Sequence, residues 1–151
     1  MRIHGASRQI LIHGMLLVLA GLVWGAVVPS TPHPRLALGA HIQFMVNGML
    51  FMLLALALLS QSHSVGPRSV GMMLAASWLT WAMALSEVAN AWWGTTQTLP
   101  IAASQAGATG GEHWQEVVVT LTHVGAGAGL IIAWVLLLIG FLRKGPGAAS
   151  G

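Results

Sequence analysis

Four long stretches of the chain are nearly unbroken runs of apolar residues, at about residues 9–28, 36–60, 69–94 and 115–142, and polar residues gather in the segments between them. At 1.5 Å of rise per residue, each run is long enough as a helix to cross a hydrocarbon core of about 30 Å. The breaks carry turn residues: Pro29, Pro32 and Pro34 in the first, Gly66-Pro67 in the second, and Pro100 with the Gly107 to Gly111 stretch in the third. Connections this short make the helices antiparallel neighbours. The pattern predicts an all-α fold, an integral membrane four-transmembrane-helix bundle over residues 1–144. The tail over residues 145–151, rich in Gly, Ala and Ser, is expected to be disordered. The first apolar run is longer than the 7–15 residues of a secretory signal and no A-x-A site follows it, so it is expected to stay in the mature protein.

Composition removes the soluble alternative. Of 151 residues, 56% are hydrophobic and 6% charged, where soluble domains carry roughly 25% charge. With no cysteine there are no disulfides, thiolate metal sites, iron–sulfur clusters or cysteine nucleophiles. Six Lys and Arg are too few to coat a nucleic acid. Their placement gives orientation instead: Arg2, Arg8, Arg68, Arg143 and Lys144 flank one side and only Arg35 the other, which puts both termini in the cytoplasm. The expected location is a bacterial-type inner membrane, crossed several times. All three acids, Glu87, Glu112 and Glu116, fall at or beyond the outer end.

Ionisable and strongly polar side chains are expensive inside a bilayer, so those within the spans are candidates for function. They are His13, His41, Gln43, Asn47, Glu87, Asn90 and His123. His13 lies toward the cytoplasmic edge and His41 toward the outer edge, so the two are not expected to share a metal within one chain. The outer half collects His41, Asn47, Glu87, Asn90 and His123. Glu87, Asn90 and Gly94 share a helix face by their spacing, as do Glu116, Thr120 and His123. His41 and Asn47, six residues apart at about 100° per residue, point about 120° apart. That phase suits an oligomer in which one side chain meets a subunit contact and the other faces the bundle.

Simpler readings account for other residues. Gly14, Gly21, Gly25, Gly125 and Gly129 fit close helix packing. Trp92 and Trp93 fit an aromatic belt, and Glu112, His113 and Trp114 an outer interfacial cap. Methionines are read as soft packing. No Walker loop, GxSxG, HExxH or CxxCH is present.

The order of particular residues resembles a known family. Arg8-x4-His13-Gly14, Gly21-Leu22-x2-Gly25 with Pro29, and Pro34-Arg35-x5-His41-x5-Asn47-Gly48 are similar to hydroxylaminobenzene mutase. So are Ala89-Asn90-Ala91-Trp92, Leu99-Pro100-Ile101-Ala102-Ala103 and Trp114-Gln115-Glu116. Styrene oxide isomerase has Arg8-x4-His13-Gly14 in a first span and His41-x5-Asn47-Gly48 in a second as well, and the resemblance extends over most of the chain. It implies a small four-span membrane isomerase, a homotrimer in the styrene oxide branch, with haem b at the subunit contacts. On that resemblance His41 is the axial ligand of the haem iron, and Asn47 lies beside the substrate oxygen. The styrene oxide branch carries a tyrosine and an aspartate on the third helix, and this chain has neither residue anywhere. Glu87, Asn90 and His123 are the candidates for that place, and the absence points toward the mutase branch.

The expected chemistry is rearrangement of hydroxylaminobenzene to 2-aminophenol, with ferric haem as Lewis acid, Asn47 orienting the oxygen, and Glu87 and Asn90 as further catalytic residues. The alternative within the superfamily is epoxide-to-aldehyde rearrangement. A haem b electron carrier would instead use two axial ligands, such as His41 with His123. A small transporter would need a carboxylate on its path, for which Glu87 is the sole candidate.

Overall fold

The computed structural model describes residues 3–143. It is all helical: α1 (Ile3–Val27), a single 3-10 turn (Val28–Ser30), α2 (Pro34–Ser60), α3 (Pro67–Trp93), α4 (Pro100–Gln105) and α5 (His113–Leu142). Four of the five α-helices, all but α4, are long and apolar enough to cross a membrane. A backbone group in hydrocarbon must find its partner within its own segment, which is why each apolar run closes into a helix. The expected tail over residues 145–151 lies outside the described residues.

Proline sets three of the starts. Pro34, Pro67 and Pro100 each occupy the first turn of a helix, where the missing N–H has no intrahelical partner to lose. α5 starts differently, with the Gln115 side chain accepting from the Glu112 N–H at 2.8 Å. α3 ends at Gly94, whose φ of 65° is left-handed and whose N–H bonds Asn90 O. The short α4 was not part of the sequence expectation, which treated Pro100 as a break; six residues are too few to show a helical period.

α3 is the central helix, packed against α1, α2 and α5, while α5 lies on α3 without substantial contact to α1 or α2. Between α1 and α2 the approach is backbone to backbone. A Cβ at Gly14 would fall 2.8 Å from Gly48 O, and one at Gly48 would fall 2.8 Å from Gly14 O. Higher up, Gly21 meets Phe44 and Gly25 meets the His41 ring, and Trp24 Nε1–H donates to Ala37 O at 2.9 Å. Ile10, Leu17, Phe51, Leu54, Val70 and Met73 fill the core between α1, α2 and α3. The outward faces keep Leu19, Leu22, Leu53, Leu121, Ile131 and Leu138 exposed, as side chains do when lipid is their solvent. At one end the α2–α3 loop is tied to α5: Ser64 donates to Gly140 O from both N and Oγ, at 3.0 and 2.9 Å. At the other, the Glu116 carboxylate accepts from the N–H groups of Thr96, Gln97 and Gly111 at 2.8, 3.0 and 3.3 Å and pins the α3–α5 connection.

Candidate functional site

Because α5 rests on α3 alone, a cleft is left between α5 and α2, and several polar side chains stand on its wall. Gln43 and Asn47 of α2, Thr80 and Met83 of α3, and His123 of α5 enclose a cavity of about 190 Å³ with Ala126, Gly127 and Leu130. Asn47 is 5% exposed, and its Nδ2 donates to Gln43 Oε1 at 2.8 Å. That bond joins successive turns of α2 and fixes both amides on the cavity wall. Thr80 Oγ1–H donates to Ala76 O at 3.0 Å, which leaves its oxygen lone pairs as acceptors.

His123 has both ring nitrogens engaged. Nδ1 lies 2.7 Å from Val119 O; a carbonyl only accepts, so Nδ1 carries a proton. Nε2 lies 2.5 Å from Glu87 Oε1. Glu87 is 1% exposed, and its second oxygen, Oε2, is buried with no hydrogen-bond partner. That oxygen occupies space that α2 leaves open by having no side chain at Gly39, where a Cβ would come within 2.8 Å of it. Gly39, Gln43 and Asn47 follow one another at i, i+4 and i+8, so a single stripe of α2 passes from the Glu87 carboxylate to the cavity.

Asn90 shares the α3 face with Glu87, as its spacing requires, but its Oδ1 accepts from Thr95 N at 2.8 Å and closes the turn after α3. Glu116 and Thr120 share the α5 face with His123 and also serve the α3–α5 connection, Thr120 through Thr98 at 2.7 Å. One helical turn thus separates residues that hold the loop from the pair that reaches the cavity.

His41 is on another side of α2. Its Nδ1–H donates to Gly21 O of α1 at 2.8 Å, and Gly25 gives the ring room, since a Cβ there would fall 3.0 Å from it. The bond fixes the tautomer in which Nε2 keeps its lone pair, and Nε2 has no hydrogen bond among the described residues. His13 is used differently: its Nδ1 accepts from Trp81 Nε1 at 3.1 Å, and its ring packs edge-on to Trp78 at 4.5 Å. A larger, apolar cleft of about 450 Å³ opens beside Trp24, Phe44, Trp81 and Val88. No group of three or more His, Cys, Asp or Glu that would hold a bare metal ion occurs among the described residues.

The structure therefore brings Asn47, Gln43 and His123 to one cleft, sets Glu87 behind His123, and leaves His41, His13 and Asn90 outside it. Thr80 and Gly39 were not singled out in the sequence. A lone threonine in an apolar helix carries no pattern, and the use of Gly39 depends on which α3 residue faces it.

Residues 6–142 match a family described as styrene oxide isomerase. Hydroxylaminobenzene mutase HabA of Ectopseudomonas oleovorans is 36% identical over 139 residues, covering 86% of this chain and 94% of the relative. Hydroxylaminobenzene mutase HabB of the same organism is 28% identical over 142 residues, covering 93% and 83%. No solved structure matches the chain.

Proposed function

Since the chain belongs to the styrene oxide isomerase family, we propose that this membrane protein is an isomerase that rearranges hydroxylaminobenzene to 2-aminophenol. The observation that carries the reading is a cavity with four polar side chains, Asn47, Gln43, Thr80 and His123, on its wall, set in a chain otherwise built for lipid. Engineered dry cavities of about 150 Å³ accept benzene, so about 190 Å³ suits a single aromatic ring with a small polar substituent. An apolar, single-ring substrate partitions into the bilayer and reaches the α2–α5 cleft from the side.

The cavity residues divide the work. Asn47 sits where an amide orients the substrate oxygen, held in place by Gln43. Thr80 offers an acceptor to a substrate N–H or O–H. The apolar remainder of the wall, Met83, Ala126 and Leu130, keeps water from competing with the migrating oxygen.

His41 is the residue that would hold haem b: its Nδ1–H is fixed on a carbonyl and its Nε2 lone pair is free. Haem iron held by His41 would supply Lewis-acid chemistry toward the substrate oxygen. Because His41 and Asn47 leave α2 on different sides, the reading places that group at contacts of a homotrimer, with the asparagine supplied by a neighbour. His123 does not fit as a second residue holding that group, since both of its nitrogens are engaged within the chain. The protein is read as residing in a bacterial-type inner membrane with both termini cytoplasmic, from the Lys and Arg placement.

The family's own description favours a second reading, rearrangement of an aryl epoxide to an aldehyde. The deciding experiment gives the purified protein each substrate and follows the product together with the Soret absorption. Formation of 2-aminophenol, with a Soret band that shifts on substrate addition, supports the mutase; aldehyde alone supports the epoxide reading; no conversion of either removes both.

A further inference from the structure

The cavity between α2 and α5 has a closed end and an open one. Asn47, Thr80, Met83 and Ala126 on its wall are buried, whereas Gly127, alone among the lining residues, is exposed. His123, Gly127 and Leu130 follow one another at i, i+4 and i+7, so one face of α5 forms the rim. One turn to either side of Gly127, Val124 and Ile131 are 65% and 67% exposed, which marks the face that α5 turns to hydrocarbon. The opening therefore gives onto the bilayer.

Packing does not call for glycine at that point. A Cβ at Gly127 would meet nothing within 4 Å, whereas at Gly129, two residues on, it would crowd Leu79 and Ala76 of α3 at 3.2 and 3.4 Å. Nor does the backbone, since Gly127 lies inside α5 and does not have a positive φ. A mid-helix glycine weakens the helix that carries it. What the missing side chain leaves is space at the mouth of the cavity. Helical side chains lean toward the N-terminus, so a longer residue at this position would lie over the turn that carries His123 and across the opening.

Resting on the isomerase reading, we propose that Gly127 is the specificity-determining position of this cavity: the opening over it admits the substrate from the bilayer and leaves room for an apolar substituent on the far side of the ring. The oxygen-bearing end goes to the buried end, where Asn47 and Thr80 supply hydrogen-bonding groups. The ring carbon para to the reacting nitrogen then comes to the rim. The substrates accepted extend from hydroxylaminobenzene to its para-alkyl derivatives, whose chains run out past Gly127 into lipid.

The test gives the full-length protein hydroxylaminobenzene and its 4-butyl derivative. The wild-type protein should convert both. Gly127→Leu should raise KM for both and shift the ratio of kcat/KM values against the 4-butyl substrate by about 10-fold or more, the discrimination that an added methylene produces in an apolar pocket. Gly71→Leu is the control, at a helical glycine that also has nothing within 4 Å of its Cβ position but lies roughly two and a half turns from Thr80 along α3; its ratio should stay at the wild-type value. Should Gly127→Leu fail to fold, Gly127→Ala carries the same test with a smaller shift, and an unchanged ratio in the folded variant is disproof. A wild-type protein that rejects the 4-butyl substrate also overturns the proposal and leaves the isomerase reading standing. So does a loss of Soret absorbance in Gly127→Leu relative to wild type, since the opening would then face a neighbour's haem rather than lipid. Conversion of neither substrate by the wild-type protein overturns the isomerase reading, and the opening is then decided by binding. The chain has no cysteine, so Gly127→Cys places a single thiol at the mouth. 4-Butylaniline, which has the ring and no N–O bond to rearrange, should slow alkylation of that thiol by N-phenylmaleimide; the same rate with and without it would show that no aryl compound enters there.

Discussion

His41 and Asn47 lie on the same helix, six residues apart, and serve different sides of it. The His41 imidazole is tethered to Gly21 O on α1, while the Asn47 amide is fixed to Gln43 on the wall of the α2–α5 cavity. Six steps of about 100° put them about 120° apart, and the two sets of contacts confirm that separation. Within one chain they do not share a pocket.

The first expectation concerns the two histidines that face α1–α3 and α1–α2. His41→Ala should abolish retention of haem in purified protein, whereas His13→Ala should keep most of it. His13 accepts a hydrogen bond from Trp81, so its loss leaves a half-buried indole N–H unpaired and should lower stability by about 1–3 kcal/mol. Soret absorbance per protein and a melting curve check both arms; full haem content in the His41 variant would sink the ligand assignment.

Asn47→Ala should leave the fold and haem content intact and reduce turnover on the order of 10²-fold, the usual loss when one pre-oriented polar group is removed from a site of developing charge. Gln43→Ala, which removes the acceptor that holds the Asn47 amide, should give a smaller loss in the same direction. Wild-type turnover in both would make this pair a packing element.

A third expectation follows from the angle between His41 and Asn47. Co-expression of a His41→Ala chain with an Asn47→Ala chain should regenerate active sites if one interface draws its histidine and its asparagine from different subunits. Hetero-oligomers purified through two tags and assayed with hydroxylaminobenzene give the answer: activity no higher than either single variant would place the whole site in one subunit.

The α1–α2 contact gives a stability test with an internal control. At Gly48 a Cβ would come 2.8 Å from both Gly14 O and Val18 Cγ2, and backbone at such a crossing has nowhere to go. Gly48→Ala should lower stability by about 1–3 kcal/mol, as overpacking does. Gly71, also in a helix, has nothing within 4 Å of its Cβ position; Gly71→Ala should be neutral or slightly stabilising, from helix propensity alone. Detergent-solubilised melting temperatures compare the two, and equal effects would mean that α1 and α2 do not cross where the structure has them.

Composition and pattern alone were enough for the four helices and their approximate ends, because hydrocarbon leaves the backbone one solution and proline and glycine punctuate it. Spacing along a single helix was equally legible: Glu87 with Asn90, Glu116 with His123, and the divergence of His41 from Asn47 all follow from 3.6 residues per turn. Spacing says nothing of how far each helix is rotated about its axis or which neighbour it meets. That rotation decided that Glu87 reaches His123 over Gly39 while Asn90, one turn away on the same face, is used up by Thr95 N. It also decided that α5 packs on α3 and stands off α2, opening a cavity with polar side chains on its wall. The rotation is set by many weak contacts between side chains distant in sequence, and by where two glycines let backbones touch. Such contacts leave no periodic trace along the chain, so only the assembled tertiary structure assigns which polar residues face one another.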